Sequence, residues 1–96
     1  MNEFQQKLID QMFMFLAMEG LNGAHYDCTV NPTCKWTRYT RPDAMLTIYD
    51  SPGPAHSVGL SVGSTTMWVL MEPDDTERLR GLMGKLSEER HEKASS

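Results

Sequence analysis

The chain has 96 residues, of which 40% are hydrophobic and 23% charged. Those values fit one folded domain around a single core and exclude a disordered or multidomain chain. The formal net charge of −4 disfavours general attraction to phosphate backbones and is compatible with a basic partner. No basic stretch precedes the first apolar run, and no run approaches the roughly 18 residues that cross a bilayer. Neither a targeting signal nor a membrane segment is read, and the expected location is cytoplasmic.

Residues 2 to about 20 are expected to form a helix, with Asn2 as N-cap and Gln5 as its capping-box partner. Phe4, Leu8, Met12 and Phe15 make an apolar stripe at spacings of 4, 4 and 3, which Ile9, Phe13 and Leu16 widen. Gly20 or Gly23 supplies the left-handed C-terminal residue. The anomaly is Met12 to Met18, seven apolar residues in succession, which leave no polar face. Lys7, Asp10, Met14 and Met18 share one face, polar at its start and apolar at its end. Met14, Ala17 and Met18 therefore need a cover. It is either the second helix or the 51–57 loop, or a second molecule, which makes these three the candidate self-association residues of a homodimer. The chain's eight methionines suit an adaptable core or interface.

Residues 24–30 are a weak strand candidate. Cys28 and Cys34 bracket Asn31-Pro32-Thr33. In an oxidising compartment they could pair, and the expected state is two reduced thiols. His25, Cys28 and Cys34 offer three ligands of the kinds zinc takes, but His56 or His91 would have to supply a fourth. The expected reading is a loop histidine and two small thiols, so no metal and no cofactor is assigned.

"CKWTRYTR", 34–41, reads as a strand. Alternation puts Lys35, Thr37, Tyr39 and Arg41 on one face and Trp36, Arg38 and Thr40 on the other. Lys35, Trp36, Arg38, Tyr39 and Arg41 resemble a surface that binds single-stranded nucleic acid. The competing reading is a half-buried strand with Trp36 in the core. Residues 25–71 carry three cations and three anions, so this region is neutral. Nucleic acid is accordingly the alternative partner.

Pro42-Asp43 makes a turn into a strand at 44–50. "SPGPAHS", 51–57, breaks helix and ladder alike. "VGLSV", 58–62, and "TTMWVLM", 65–71, form a hairpin through Gly63-Ser64. Residues 72 to about 91 form the second helix. Pro73 stands at the first helical position, acidic residues at the positive end of the dipole, and Leu79, Leu82, Met83 and Leu86 on one stripe. Glu72, Asp74, Asp75 and Glu77 cap this helix and form an acidic patch able to meet a basic surface. A Mg²⁺ site is the weaker reading of that patch. No nucleophile elbow, phosphate loop or Cys-His signature marks an enzyme.

The expected fold class is α+β: an N-terminal helix, an antiparallel β-meander of four to five strands and a C-terminal helix, in a two-layer sandwich. It spans residues 1–87 as one domain, with 88–96 a frayed polar tail. The expected function is a small acidic non-enzymatic protein-interaction module, an inhibitor or adaptor that binds a larger protein with a basic surface. A phage or mobile-element protein that blocks a host nucleic-acid-binding defence complex fits that description.

Overall fold

The computed structural model describes residues 3–50 and 53–95, with side chains as far as Ser87. Asn2, Ser51, Pro52 and the expected tail side chains lie outside the described residues. The first helix, α1, runs Glu3–Leu21. Its end is set by Gly23 at φ 74°, where a side chain would be strained. The Gly23 N–H donates to Gly20 O at 3.1 Å and the Ala24 N–H to Glu19 O at 3.0 Å. Those two bonds are the Schellman pair that satisfies the last carbonyls. Of the two glycines named by the sequence, Gly23 is the one in the left-handed position.

The chain then makes five strands: β1 (Asp27–Asn31), β2 (Trp36–Arg41), β3 (Ala44–Tyr49), β4 (His56–Val62) and β5 (Thr65–Met71). They pair in sequence order, each antiparallel to the next. Short connections force this meander. Gly63, at φ 60°, opens the β4–β5 turn, as expected from its first position in a two-residue loop. Lys35 was expected in strand β2 but sits in the preceding turn with a left-handed φ of 57°. There Asn31 Oδ1 accepts the Cys34 N–H at 2.8 Å, a local side-chain-to-backbone bond that closes the turn at 32–35. The second helix, α2, runs Pro73–Ser95. The Thr76 N–H donates to Glu72 O at 2.9 Å, so the helix starts at Pro73 as its sequence requires.

Both helices lie on one face of the sheet. Ile9, Met12 and Leu16 of α1 and Leu79, Met83 and Leu86 of α2 join Leu46, Ile48, Val58, Val69 and Met71 in one core. The buried stripe of α1 is therefore centred on Ile9, Met12 and Leu16. Phe4, expected on that stripe, is 67% exposed. Gln5 Oε1 accepts the Leu70 N–H at 3.2 Å, which fastens α1 to the free edge of β5. At the opposite edge, Asp27 to Val30 of β1 are exposed.

A partly buried polar cluster fixes the C-terminal end of α1. Glu19 accepts the Tyr26 hydroxyl at 2.7 Å and also pairs with Arg41 of β2. Burial, then the hydrogen bond to Glu19, pushes the Tyr26 hydroxyl up to about 12 from 10.0. The folded chain thus keeps this proton through a range where the unfolded chain has released it. The stabilisation is complete below pH 10 and is lost as the pH rises towards 12. The urea midpoint is expected to fall across that interval, and less steeply in Tyr26→Phe. An equal fall in both proteins would show that Tyr26 does not carry the effect. Arg80 makes the corresponding tie for α2, pairing with Asp50 beyond β3.

Candidate interaction surface

Register decides which side chains each strand offers. Thr37, Tyr39 and Arg41 of β2 stand beside Ile48, Leu46 and Ala44 of β3, on the helix side. Tyr39 belongs to the core, and its burial first, then the Cys28 thiol, raises its hydroxyl above the usual range. Arg41 is engaged by Glu19 and packs over the Tyr26 ring, 5.8 Å to the centroid. Of the five basic or aromatic residues singled out in the sequence, only Trp36 and Arg38 therefore face outward together. Lys35 is exposed in the neighbouring turn. Trp36 is not the core residue that the competing reading of this strand expected: Tyr39 takes that place.

The outward face of the sheet, opposite the two helices, carries two rows of side chains that are half-buried to exposed at its aromatic positions. Trp36, Tyr49, Ser57 and Leu70 form one row across β2 to β5, and Arg38, Thr47, Gly59 and Trp68 form the next. The Arg38 guanidinium lies over the Trp36 ring at 4.2 Å from its centroid, and its Nε donates to Thr47 Oγ1 at 3.1 Å. The stacked cation is thus held flat on the sheet. Trp68 lies across Gly59, where an added Cβ would come within 2.7 Å of the indole ring. Only glycine lets the ring approach the backbone this closely. The same ring faces Tyr49 at a centroid distance of 6.0 Å and a tilt of 31°, within the range of favourable aromatic pairs. Trp68 is 53% exposed and Leu70 is 58% exposed. The surface runs continuously from Arg38 and Trp36 through Tyr49 to Trp68 and Leu70.

Tyr49, Trp68 and Leu70 were not singled out by the sequence reading. The signal for Trp68 and Leu70 is the run Met67 to Met71, five apolar residues in succession. A strand with one solvated face should alternate. An unbroken run in an edge strand means that apolar side chains face both ways.

The acidic residues cluster at the start of α2: Glu72 just before it, Asp74 and Asp75 in its first turn and Glu77 in the next. Glu72, Asp74 and Glu77 are exposed, whereas Asp75 is half-buried and pairs with Arg78 at 3.6 Å. Arg78 in turn lies 4.0 Å from the centroid of Phe13, linking the two helices. Glu72 follows Leu70 by two residues, so this acidic turn borders the Leu70 end of the aromatic row. Met14, Ala17 and Met18 are exposed on the side of α1 opposite the core. Neither α2 nor the described part of the 51–57 loop covers them.

Among the described residues, His25, Cys28, Cys34 and His56 are not assembled into a metal site, and the His91 side chain lies outside them. Cys28 is in register with Tyr39, three positions from the Asn31–Trp36 pair, while Cys34 lies beyond that pair in the turn. Three strand residues span about 10 Å, too far for a disulfide between these cysteines. Among the described residues, no three of His, Cys, Asp or Glu come together as a metal site. No described helix is long and apolar enough to cross a membrane. A search for resemblance finds no family model, no curated protein and no solved structure that matches this chain, which leaves the geometry of its own surfaces to carry the functional reading.

Proposed function

We propose that this chain is a small acidic protein-interaction module, an inhibitor or adaptor that docks on a larger protein through the outward face of its sheet. The observation that carries this reading is the patch made by two adjacent rows of the outward face, with Trp36 and Tyr49 half-buried, Trp68 and Leu70 exposed, and Arg38 stacked at one end. Trp, Tyr and Arg are the residue types that dominate binding energy in protein interfaces. Their rings offer large contact area with few rotatable bonds to immobilise. Ser57, Ser61 and Thr66 supply polar groups beside this centre, and Glu72, two residues after Leu70, extends the rim. An apolar centre with a polar rim is the usual anatomy of a docking surface. The acidic rim steers encounter with a basic partner, such as the exposed surface of a nucleic-acid-binding complex.

One observation favours a second reading. Arg38 stacked on Trp36, beside Tyr49 and Trp68, is an arrangement on which single-stranded bases stack. The face carries a single arginine within a chain of net charge −4, which weighs against phosphate tracking. Affinity capture from the source cell separates the two readings. Wild-type bait is expected to retain a specific protein at physiological salt. The Trp36→Ser/Trp68→Ser double variant is expected to bind it at least about 100-fold more weakly with an unchanged circular dichroism spectrum. Retention of that protein by the double variant would overturn the assignment of the face. Tight binding of single-stranded oligonucleotides, falling steeply with added salt, would favour the second reading.

A further inference from the structure

The exposed side of α1 has an order that its composition conceals. Phe4, Lys7, Gln11, Met14, Met18 and Leu21 recur at spacings of 3, 4, 3, 4 and 3, and all six are exposed. Four are large apolar residues, from Met18 at 55% exposure to Leu21 at 82%. This 3-4 repeat is the seam along which helices pack in a coiled coil. It lies opposite Ile9, Met12 and Leu16, so it points away from the protein's own core.

We propose that the occupant of this seam is a second copy of the chain, with the two α1 helices antiparallel. The seam is complementary to itself in that direction. Full overlap of the two helices sets Phe4 against Leu21 of the second copy, Lys7 against Met18 and Gln11 against Met14. Each layer then joins a large apolar side chain to another, or to the aliphatic part of a polar one. The two Lys7 ammonium groups stand far apart along the seam. A parallel arrangement would put Lys7 on Lys7 and Gln11 on Gln11. The antiparallel pairing is also the one produced by a two-fold axis across the helix, the commonest symmetry of homodimers. On the flanks, Asp10 falls beside Ala17 of the second copy and Leu8 beside Phe15. A lipid surface is the less suitable occupant. Helices that lie on membranes carry rows of cations beside the apolar face, and this seam has one, Lys7.

The helix is 19 residues long, about 28 Å. A seam of that length gives a modest interface, with an expected Kd on the order of 10 µM. Because α1 lies on the helix side of the sheet, pairing through it leaves both outward faces free on opposite sides of the dimer. The dimer is then bivalent for the partner proposed above, and avidity offsets weak single contacts.

Sedimentation velocity on the full chain tests the pairing without any knowledge of that partner. Between about 1 and 300 µM, the wild-type mass is expected to rise from 10.9 kDa towards twice that value. Met14→Glu/Met18→Glu is expected to stay at 10.9 kDa throughout, with the wild-type melting temperature at concentrations where the wild-type chain is monomeric. In a Cys28→Ser/Cys34→Ser background, Phe4→Cys mixed with Leu21→Cys is expected to form a disulfide-linked dimer, and Phe4→Cys alone is not. A wild-type chain that remains monomeric overturns the proposal. So does a dimer that survives the double charge variant, which would point to another surface such as the β1 edge. Cross-linking of Phe4→Cys to itself overturns the antiparallel direction.

Discussion

Tyr39→Ala is expected to lower the free energy of unfolding by about 3–5 kcal/mol, and Trp36→Ala, three residues earlier on β2, by only about 1 kcal/mol. The two aromatics differ by an odd number of positions, so they stand on opposite faces of the sheet. Tyr39 is 6% exposed and packs with Ala44, Leu46 and the helices. Truncating it leaves a cavity that close-packed neighbours fill only partly. Trp36 loses its stack with Arg38 and a half-buried contact area, both at the water interface. Urea unfolding of the two variants checks the contrast. Equal losses, or a larger loss at Trp36, would place the core on the wrong side of β2.

Met12→Glu is expected to abolish folding, and Met14→Glu to change the stability of the monomer by less than about 0.5 kcal/mol. Met12 is fully buried, with 0% exposure, and the described residues around it in the core offer no cation to pair with a new carboxylate. Met14 is 68% exposed, on the far side of the same helix. An introduced charge there stays in water. Thermal melts at a concentration low enough to keep the chain monomeric separate this effect from loss of the dimer. A cooperative transition in Met12→Glu near the wild-type temperature would contradict the packing described for α1.

The pattern of the chain carried much of this fold. Pro73, the acidic first turn and the Leu79, Met83, Leu86 stripe specify α2, and Gly63 specifies the β4–β5 turn. These signals are local and depend on few neighbours. Alternation divided β2 correctly into two sets, but it could not say which set faces the helices, because each set contains an aromatic residue. That choice is made in β3, where Ala44, Leu46 and Ile48 form the apolar set opposite Arg41, Tyr39 and Thr37. The Glu19–Tyr26–Arg41 cluster was not legible at all. Its members are brought together by the Gly23 turn and the β1–β2 register, and no spacing along the chain encodes that meeting.

The unbroken apolar runs were the most informative feature. Met12 to Met18 and Met67 to Met71 both contain more apolar residues than one buried face can use. In each case the structure puts part of the surplus in contact with water, as Met14 and Met18 on α1 and as Trp68 and Leu70 on β5. The sequence reading recognised the first run and passed over the second. An edge strand with two apolar faces is the same signal as a helix with no polar face, and it leads to the outward sheet surface.

The most direct test of that surface is a nuclear magnetic resonance titration of the labelled chain with the captured partner protein. The indole N–H resonances of Trp36 and Trp68 and the amides of Ser57, Gly59 and Thr66 are expected to shift or broaden together. The amides of Met83 and Leu86 should stay in place. Perturbations confined to α1 or α2, with both indoles unmoved, would contradict docking through the outward face of the sheet.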